Sequence, residues 1–444
     1  MRASLSKGAS VKVQKGGIFY GWWMVGIAII SSFSAMSIGQ AIPGVFMEPM
    51  TQDFDWPISH FYIAISCGTV MGGLMAVIVG PLVDKHGPRR LMMFGAICCS
   101  AGLLGLSNLS SLWQFILLQS VCGALGWTFF SPLVVNTSLN KWFVTKRGWA
   151  LALGSAGISL GGIITPKTMT LIVDNADWRT GYITLAIAVI VIIIPSALMM
   201  RSRPEDYGQL PDGVNPDEIS PEITLRRAAI AADDRQSYTR ALAIRTPGFW
   251  LLILGFGLNG AALSSVLLHA IPFATAFGFT RSLAAWGVSI NGFGNLCSKF
   301  VWGWGLQRIN ARVLVACAFP ISATGVLTLL IAAHQGNTLL LFAGFYLYGF
   351  GFGGSVPLSE FLFARYFGRK HIGAIRGFGI PVSLICSAGA PVLTGVWVDT
   401  FGSYTGAFML IMCLYLTGAV VINISREPPP LYVDAQQIED KVNT

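Results

Sequence analysis

Long apolar segments alternate with short polar ones along almost the whole chain. A helix crosses about 30 Å of hydrocarbon with roughly 20 apolar residues, and we find twelve segments of this kind. We number them spans 1 to 12 and predict them at residues 18–46, 58–80, 91–109, 112–138, 148–172, 179–200, 247–275, 282–303, 312–333, 337–363, 372–397 and 403–424. The pattern predicts an all-α membrane protein with twelve transmembrane helices.

One polar segment is longer than the others and divides the spans into six and six. Residues 201–246 carry acidic residues and prolines between Pro204 and Glu218 and continue with a more helical stretch from Leu225 to Arg245. We interpret this segment as a cytoplasmic linker, because it is too short for a separate folded domain. The chain is thus predicted to comprise a first half, residues 1–200, the linker, and a second half, residues 247–444, which includes a cytoplasmic tail.

The two predicted halves carry matching residues in the same order. The start of span 1, Gly21-Trp22-Trp23, is similar to the start of span 7, Gly248-Phe249-Trp250. Further residues of the first half recur at equal spacing in the second, namely Pro166, Asp174 and Gly181 as Pro391, Asp399 and Gly406. Such ordered matches indicate a duplicated six-helix unit, and therefore two pseudo-symmetric halves.

Composition agrees with a protein that lies in the bilayer. Hydrophobic residues make up 54% of the 444 residues and charged residues 11%, which is too apolar for a soluble fold. Lys and Arg concentrate in alternate turns between spans, and cytoplasmic loops retain positive charge. We therefore place both termini in the cytoplasm and the protein in the inner (plasma) membrane, so the net charge of +9 needs no nucleic-acid partner. The eight cysteines form no metal-type cluster, and we expect no cofactor or metal.

The turn between spans 2 and 3, GPLVDKHGPRR at residues 80–90, concentrates charge that the spans avoid. Its glycines permit a tight turn, and its acid can face a helix N-terminus or an arginine of a neighbouring helix. We interpret it as a gating latch composed of Gly80, Asp84, Lys85, Gly87, Arg89, Arg90 and, as one partner from span 5, Arg147. The alternative is a turn whose charges only fix topology, although topology requires neither an acid nor paired glycines.

The pattern Gly80-x-x-x-Asp84-Lys85-x-Gly87-x-Arg89-Arg90 resembles the loop signature of the major facilitator superfamily, which lies between the same two helices. Twelve spans, two halves and a charged linker extend the resemblance over essentially the full chain. It implies the major facilitator fold and a carrier that works by alternating access, not an enzyme.

A finer resemblance concerns the branch that contains monocarboxylate transporters and oxalate:formate antiporters. Residues 140–162, 176–183 and 246–250 look like that branch's segments around spans 4 to 7. This resemblance implies a carrier of organic anions without indicating which anion.

Lys299 in span 8 is the strongest candidate for an anion-binding residue, because ionisable residues inside a span are costly and point to function. Asn295 lies one turn before it on the same face. In the monocarboxylate branch that the sequence resembles, an aspartate and an arginine occupy this pair, and the resemblance implies roles in proton coupling and anion binding. Here the charge is kept without the planar fork of arginine, and the amide cannot titrate. The alternative is that Lys299 snorkels to the cytoplasmic headgroups.

Other polar and aromatic residues in the spans are candidates for a cavity around this lysine. His269 in span 7 can carry a coupling proton, although structural histidines are common, and its counterpart in span 1 is Gln40. The groups that can complete the cavity are Asn259, Asn291, Trp127, Tyr346 and Tyr348. Most aromatic residues in membrane helices serve packing, so each ring has a structural alternative.

Two charged residues lie near the inner ends of spans 10 and 11. Glu360 is a carboxylate inside an apolar span, and we expect it to pair at a gate with the nearby Arg365, with coupling as a second possible role. Arg376 is expected to anchor the start of span 11 at the cytoplasmic surface.

These residues together predict a secondary active transporter of small organic anions, in particular monocarboxylates. Its expected partners are the anion, the lipid bilayer and, in the case of proton symport, protons. Anion exchange and facilitated diffusion remain open as coupling modes. The alternatives are a carrier of an aromatic acid, a dicarboxylate or an uncharged solute and, from another class, a non-transporting membrane sensor with a carrier fold.

Overall fold

The computed structural model describes residues 19–41, 43–214, 221–235 and 237–429. The extreme termini, which we predicted to be cytoplasmic, and the side chain of Gln40 lie outside the described residues. Span 1 consists of Tyr20–Met36, a π-helical turn and Pro43–Phe54, and spans 2 to 6 are Ile58–His86, Pro88–Ser107, Leu112–Trp142, Arg147–Asn175 and Trp178–Met199. Spans 7 to 12 are Pro247–Ala276, Arg281–Arg308, Ala311–Gln335, Thr338–Phe367, Ile372–Phe401 and Tyr404–Ile424.

Among the described residues, eleven helices are long and apolar enough to cross a membrane. The twelfth, span 8, runs over Arg281–Arg308, and 28 residues at 1.5 Å rise give about 42 Å, which exceeds the hydrocarbon thickness. Span 8 falls short in mean hydropathy because its buried face carries amides, a serine and a lysine. The least apolar span is therefore the one in which the main candidate residue lies.

Spans 1, 4, 5 and 10 are interrupted in the described part of the chain, and the interruptions of spans 4 and 10 coincide with glycine or proline. Span 4 passes through a π-helical turn at Cys122–Gly126 and a 3-10 turn at Trp127–Phe130 before Pro132 starts its last segment, since proline lacks the N–H that a continuous helix requires. Span 10 is divided at Gly353–Gly354 into Thr338–Phe352 and Ser355–Phe367. These interruptions leave backbone groups available for partners other than their own helix.

The buried apolar residues of the spans form two clusters. One extends from Met24 to Met200, and the other from Tyr238 to Ile422. Span 2 packs along span 11, and span 5 along span 8, so these four helices join the two clusters. The linker has a helix at Pro221–Arg235, which starts before the predicted helical stretch.

The linker lies at one end of the bundle, together with the turns that follow spans 2, 4, 8 and 10; we call this the linker end. The N–H of Tyr238 in the linker donates to the carbonyl of Phe367, at the end of span 10. At Gly87, where span 2 ends, φ is +76°, a left-handed conformation that favours glycine. The turn that begins at Gly80 therefore has the tight geometry expected from its sequence.

Candidate functional site

Lys299 is buried in span 8, with 3% of its surface exposed. Its Nζ donates to the carbonyl oxygen of Gly353 in span 10 at 2.7 Å. The side chain therefore points into the second half of the molecule, and not toward headgroups at the linker end. Lys299 lies nine positions before Arg308, where span 8 ends, which places its Cα roughly 14 Å inside the helix.

Gly353 can meet Lys299 because spans 8 and 10 approach closely at the break in span 10. A Cβ at Gly353 would collide with the Ser298 hydroxyl and lie 2.9 Å from the Asn295 carbonyl oxygen. The Ser298 hydroxyl itself donates to that same carbonyl at 2.7 Å. Glycine at this position thus allows the contact that gives the lysine its acceptor.

Asn295 connects the lysine to the other half of the molecule. Its Oδ1 accepts a hydrogen bond from the hydroxyl of Ser159 in span 5, and both residues are buried. Ser159 faces span 8 because Gly157 and Gly161, on the opposite side of span 5, lie against span 1. Lys299, Asn295, Ser159 and Gly353 together form what we call the Lys299 site.

The charge of this site is not balanced by the described residues. None of the ion pairs in the described part of the chain involves Lys299, and no described carboxylate lies within 4.0 Å of its Nζ. A buried ammonium that is paired only with a backbone carbonyl is unfavourable unless a counter-charge joins it. The site is therefore electrostatically suited to a single negative charge.

Two predicted residues lie close to the Lys299 site on spans 7 and 8. Asn291, Asn295 and Lys299 are spaced by four and share one buried face of span 8. The Oδ1 of Asn291 has no hydrogen-bond partner among the described residues. Asn259 of span 7 exchanges hydrogen bonds with the Ser355 hydroxyl, at 3.0 and 3.2 Å, directly after the break in span 10.

The three predicted aromatic residues have different environments. Tyr348 is fully buried, donates to the carbonyl of Leu263 at 3.3 Å and accepts from the Tyr415 hydroxyl at 3.1 Å. Its face of span 10 packs against spans 7 and 12 in this structure, so the contacts do not place Tyr348 beside Lys299 and its cavity role stays a prediction. Tyr346 is half-buried beside the Phe293 ring, and the Trp127 indole lies against the π-helical turn of span 1.

The structure does not bring His269 into the Lys299 site. His269 lies ten residues after Asn259 in span 7, about 15 Å along the helix axis. Its Nε2 is 3.0 Å from the carbonyl oxygen of Pro391, and its Nδ1 is 3.5 Å from the Tyr404 hydroxyl. The imidazole thus joins span 7 to spans 11 and 12, and the side chain of its predicted counterpart Gln40 is outside the described part of the chain.

Asp84 links both halves at the linker end. Its Oδ1 accepts from Lys141 Nζ at 2.7 Å, and its Oδ2 accepts from the backbone N–H of Ala374 at 2.8 Å. Ala374 is in the first turn of span 11, where a negative charge interacts favourably with the helix dipole. The partner expected from span 5 was Arg147, and this was wrong: Arg147 binds Asp233 of the linker at 2.9 Å. Lys85, Arg89 and Arg90 are exposed.

Glycines bring the halves into backbone contact beside Asp84. A Cβ at Gly80 of span 2 would collide with the carbonyl oxygen of Gly373 at the start of span 11, and one at Gly377 with that of Ala76. Gly148 of span 5 lies equally close to Leu306 of span 8. The linker end is therefore closed in this structure.

The linker, predicted as a polar spacer, binds both halves through its carboxylates. Asp212 accepts from three backbone N–H groups in the turn after span 4, those of Val144, Thr145 and Lys146, at 2.8–3.1 Å. Glu205 pairs with Arg369, in the turn before span 11, at 2.7 Å. The acidic composition was visible in the sequence, but the positions of these partners were not.

The charged pair expected near the inner end of span 10 has a different composition. Glu360 binds Arg376 of span 11, with Oε1 2.8 Å from Nη2 and 3.1 Å from Nε. Arg365 instead pairs with Glu427 after span 12 at 3.1 Å. The expected Glu360–Arg365 pair and the surface-anchor role of Arg376 were therefore wrong, because Arg376 points inward to span 10.

Comparisons with known proteins agree over nearly the full chain. A family model described as Major Facilitator Superfamily matches residues 27–389 and again residues 273–442. MFS-type transporter 1 of Ophiocordyceps sp. (strain BCC 1869) is 24% identical over 92% of this chain and 86% of its own length. Monocarboxylate transporter 12 of Homo sapiens is 22% identical over 96% of this chain and 83% of its own length. The "Probable L-galactonate transporter" of Escherichia coli (strain K12) is 24% identical over 80% of this chain and 79% of its own length.

A solved structure shares the fold. The proton:xylose symporter XylE bound to 6-bromo-6-deoxy-D-glucose matches with a TM-score of 0.76 over 92% of this chain and 96% of that chain, at 12% identity. At this identity the match concerns the fold alone. The predicted major facilitator fold is confirmed.

Proposed function

Because this chain belongs to the Major Facilitator Superfamily, a family of membrane carriers and not of enzymes, we propose that it transports a small organic monoanion, a monocarboxylate, by alternating access. The observation that carries the proposal is the buried charge of Lys299 without a described carboxylate partner. A carboxylate would supply the missing negative charge. Two relatives support the choice by name, since one is a monocarboxylate transporter and another is named for galactonate, itself a carboxylate.

One cation in the site favours a single negative charge on the solute. The Lys299 site contains an ammonium, an amide and a hydroxyl, so it can bind one carboxylate and hydrogen-bond a polar group beside it. A dicarboxylate would bring a second charge for which the described site has no cation. The ammonium is a point charge without the planar fork of arginine, so we expect tolerance toward the shape of the acid.

Access to the site is proposed to alternate between the two ends of the bundle. In the described conformation the linker end is closed by Asp84 and by the glycine contacts between spans 2 and 11. Opening it requires Asp84 to leave Ala374, and Arg369 to release the carbonyl oxygen of Lys141, to which it donates at 3.0 Å. We place the linker end at the cytoplasm of the plasma membrane, as the distribution of positive charge predicts.

Anion exchange is the coupling mode that the geometry favours. Asn295 cannot release a proton. His269 lies ten residues after Asn259 in span 7 and is outside the Lys299 site. Without the anion, reorientation would carry an unbalanced buried charge between the two states, which is unfavourable. With the anion bound, the moving site is neutral, so both directions of transport need a bound anion.

Uptake into proteoliposomes tests this function. A panel of labelled monocarboxylates is offered to vesicles that contain the wild type, Lys299→Ala or Lys299→Arg, with unlabelled acid or buffer inside. Lys167→Ala is the matched control, because Lys167 is an exposed lysine of span 5. We expect saturable uptake that depends on internal anion, is abolished in Lys299→Ala and is partly kept in Lys299→Arg.

The result that contradicts the proposal is equally specific. If Lys299→Ala transports acids as the wild type does, Lys299 does not bind the substrate. If the wild type takes up no acid but takes up a sugar, the uncharged-solute alternative replaces the anion. Uptake driven by a pH gradient into empty vesicles would support proton symport over exchange.

A further inference from the structure

A cavity of about 430 Å³ lies at the linker end, apart from the Lys299 site. It is formed where the end of span 4, the linker and the turn before span 11 meet. The charged residues that line it are Lys141, Arg203, Glu205, Asp206, Arg369 and Lys370. Both halves and the linker therefore contribute charge to a single cavity.

Part of this charge is already paired. Lys141 binds Asp84 at 2.7 Å, and Arg369 binds Glu205 at 2.7 Å. Arg203 and Lys370, and on the acidic side Asp206, have no ion pair with any described residue. Four cationic and two acidic residues line the cavity, so the described lining has an excess of positive groups. The two cations without an ion pair are close enough to water to exchange a ligand, since Lys370 is exposed and Arg203 half-buried.

An unpartnered polar atom also indicates a ligand in this cavity. The hydroxyl of Ser237, which also lines it, is buried and has no hydrogen-bond partner among the described residues. Burial lowers the pKa of His371, next to the cavity, and although Asp84 acts in the opposite direction, Lys370, Lys141 and Arg203 lower it further. The lowered pKa thus follows first from burial, and the anion site is argued from the charges that line the cavity and from the Ser237 hydroxyl.

We propose that this cavity binds the phosphate group of a small molecule. A guanidinium, an ammonium and a hydroxyl supply several donors from different directions, which suits a tetrahedral oxyanion better than a planar carboxylate. The volume exceeds that of phosphate alone and is in the range for a small phosphorylated compound. The proposal goes beyond the transport function and does not depend on which anion is carried.

The bound phosphate would act on the transport cycle through the closed linker end. Arg203 belongs to the linker and Lys370 to the second half, while Lys141 ends span 4 of the first half. These groups converge only while the linker end is closed, so a ligand that bridges them stabilises that state and slows opening. The cavity is thus assigned as an inhibitory phosphate site.

Calorimetry with the full-length protein in detergent tests the assignment. The probes are inorganic phosphate and pyrophosphate at constant ionic strength, with chloride as the reference anion. We expect pyrophosphate to bind. The variant Arg203→Ala/Lys370→Ala should lose at least about tenfold in affinity, about 1.4 kcal/mol, because it removes two of the cationic groups that line the cavity. Arg203→Lys/Lys370→Arg keeps the charges and is expected to keep binding. Arg245→Ala, an exposed linker arginine outside the cavity, is the matched control.

A second arm separates a soluble ligand from a phospholipid headgroup. Phosphatidylglycerol retained by the purified protein is measured by native mass spectrometry for the wild type and for Arg203→Ala/Lys370→Ala. Retention that depends on the two residues, without pyrophosphate binding, assigns the cavity to a headgroup phosphate. If neither probe binds, or if binding is equal in the wild type and the double variant, the phosphate site is excluded.

Discussion

Asp84 of span 2 accepts a hydrogen bond from the backbone N–H of Ala374 at 2.8 Å, across the boundary between the two halves. The same carboxylate binds Lys141 of span 4 at 2.7 Å, and the side chains of Asp84 and Lys141 are only 7% and 5% exposed. One acid thus joins three helices at the linker end. Removal of this carboxylate would weaken the contact between the halves and would also leave the buried Lys141 without its counter-charge.

Asp84→Asn is expected to shift the protein toward a state that is open at the linker end. Removal of one partner of a buried ion pair costs about 3–5 kcal/mol, and opening lets water reach Lys141. The measurement is the distance between spin labels at Met199→Cys and Val313→Cys in a cysteine-free background, which are exposed positions on opposite halves. Asp174→Asn, an exposed acid of span 5, is the control. An unchanged distance distribution in Asp84→Asn would mean that the acid does not hold the end closed.

Gly80→Ala should separate spans 2 and 11 without any change of charge. The added Cβ would meet the carbonyl oxygen of Gly373, which is backbone and cannot rotate away. We expect the same label pair to move apart and anion uptake to fall at least about tenfold. Gly26→Ala is a precise steric control, since nothing lies within 4 Å of a Cβ there. In that variant we expect normal uptake, with stability raised by up to about 1 kcal/mol through helix propensity. Normal uptake in Gly80→Ala would show that the close contact is dispensable.

Acid is expected to weaken the closure of the linker end through His371. Burial lowers the pKa of His371 in the closed state below its usual value of 6.5, whereas in the open state the imidazole is solvated and its pKa returns to about 6.5. The closed state therefore binds fewer protons at His371, so the contribution of this residue to closure is fully present above about pH 6.5 and is lost as the pH falls from there through the lowered pKa. His371→Gln should remove this dependence, and His86→Gln, at an exposed histidine of the same end, should keep it. The label distance is recorded between pH 8 and pH 5 for each variant.

Asp212 anchors the linker to the turn after span 4, and its substitutions separate two contributions to stability. Its carboxylate accepts three backbone hydrogen bonds, and its backbone is left-handed, with φ +60°. Asp212→Gly keeps that conformation and loses the carboxylate, while Asp212→Ala loses both. We expect Asp212→Ala to lower the free energy of unfolding by about 3 kcal/mol, and Asp212→Gly by less, because glycine tolerates positive φ. Equal melting temperatures for the wild type and Asp212→Ala would show that the linker is not held here.

The chemistry of these residues was predictable from the sequence, whereas most of their partners were not. Asp84 was predicted to act in gating because the topology of a positively charged turn does not require an acid. A helix N-terminus was one of its two expected partners. Lys141 was not foreseen, since it is 57 residues away and pairing depends on how the ends of spans 2 and 4 meet. Lys299 was identifiable by its charge, but its acceptor is the carbonyl of Gly353, a group that every residue carries. The buried face of Tyr348 depends on helix rotation, which an apolar span does not encode, because its hydrophobic residues surround the axis.

Asn295→Asp tests the electrostatic account of the Lys299 site most directly. Aspartate at this position lies one helical turn from Lys299 and can neutralise it internally. At neutral pH the substrate anion must then compete with a covalently attached carboxylate, so we expect the apparent KM for the acid to rise at least about tenfold. Protonation of the aspartate in acid frees the lysine again, and uptake should therefore become steeply faster as the pH falls. Asn295→Ala removes the Ser159 contact without adding charge. In this variant we expect a smaller increase of KM than in Asn295→Asp and no new pH dependence. If both variants behave alike, the amide acts through its hydrogen bond to Ser159, and Lys299 is not the charge that the substrate neutralises.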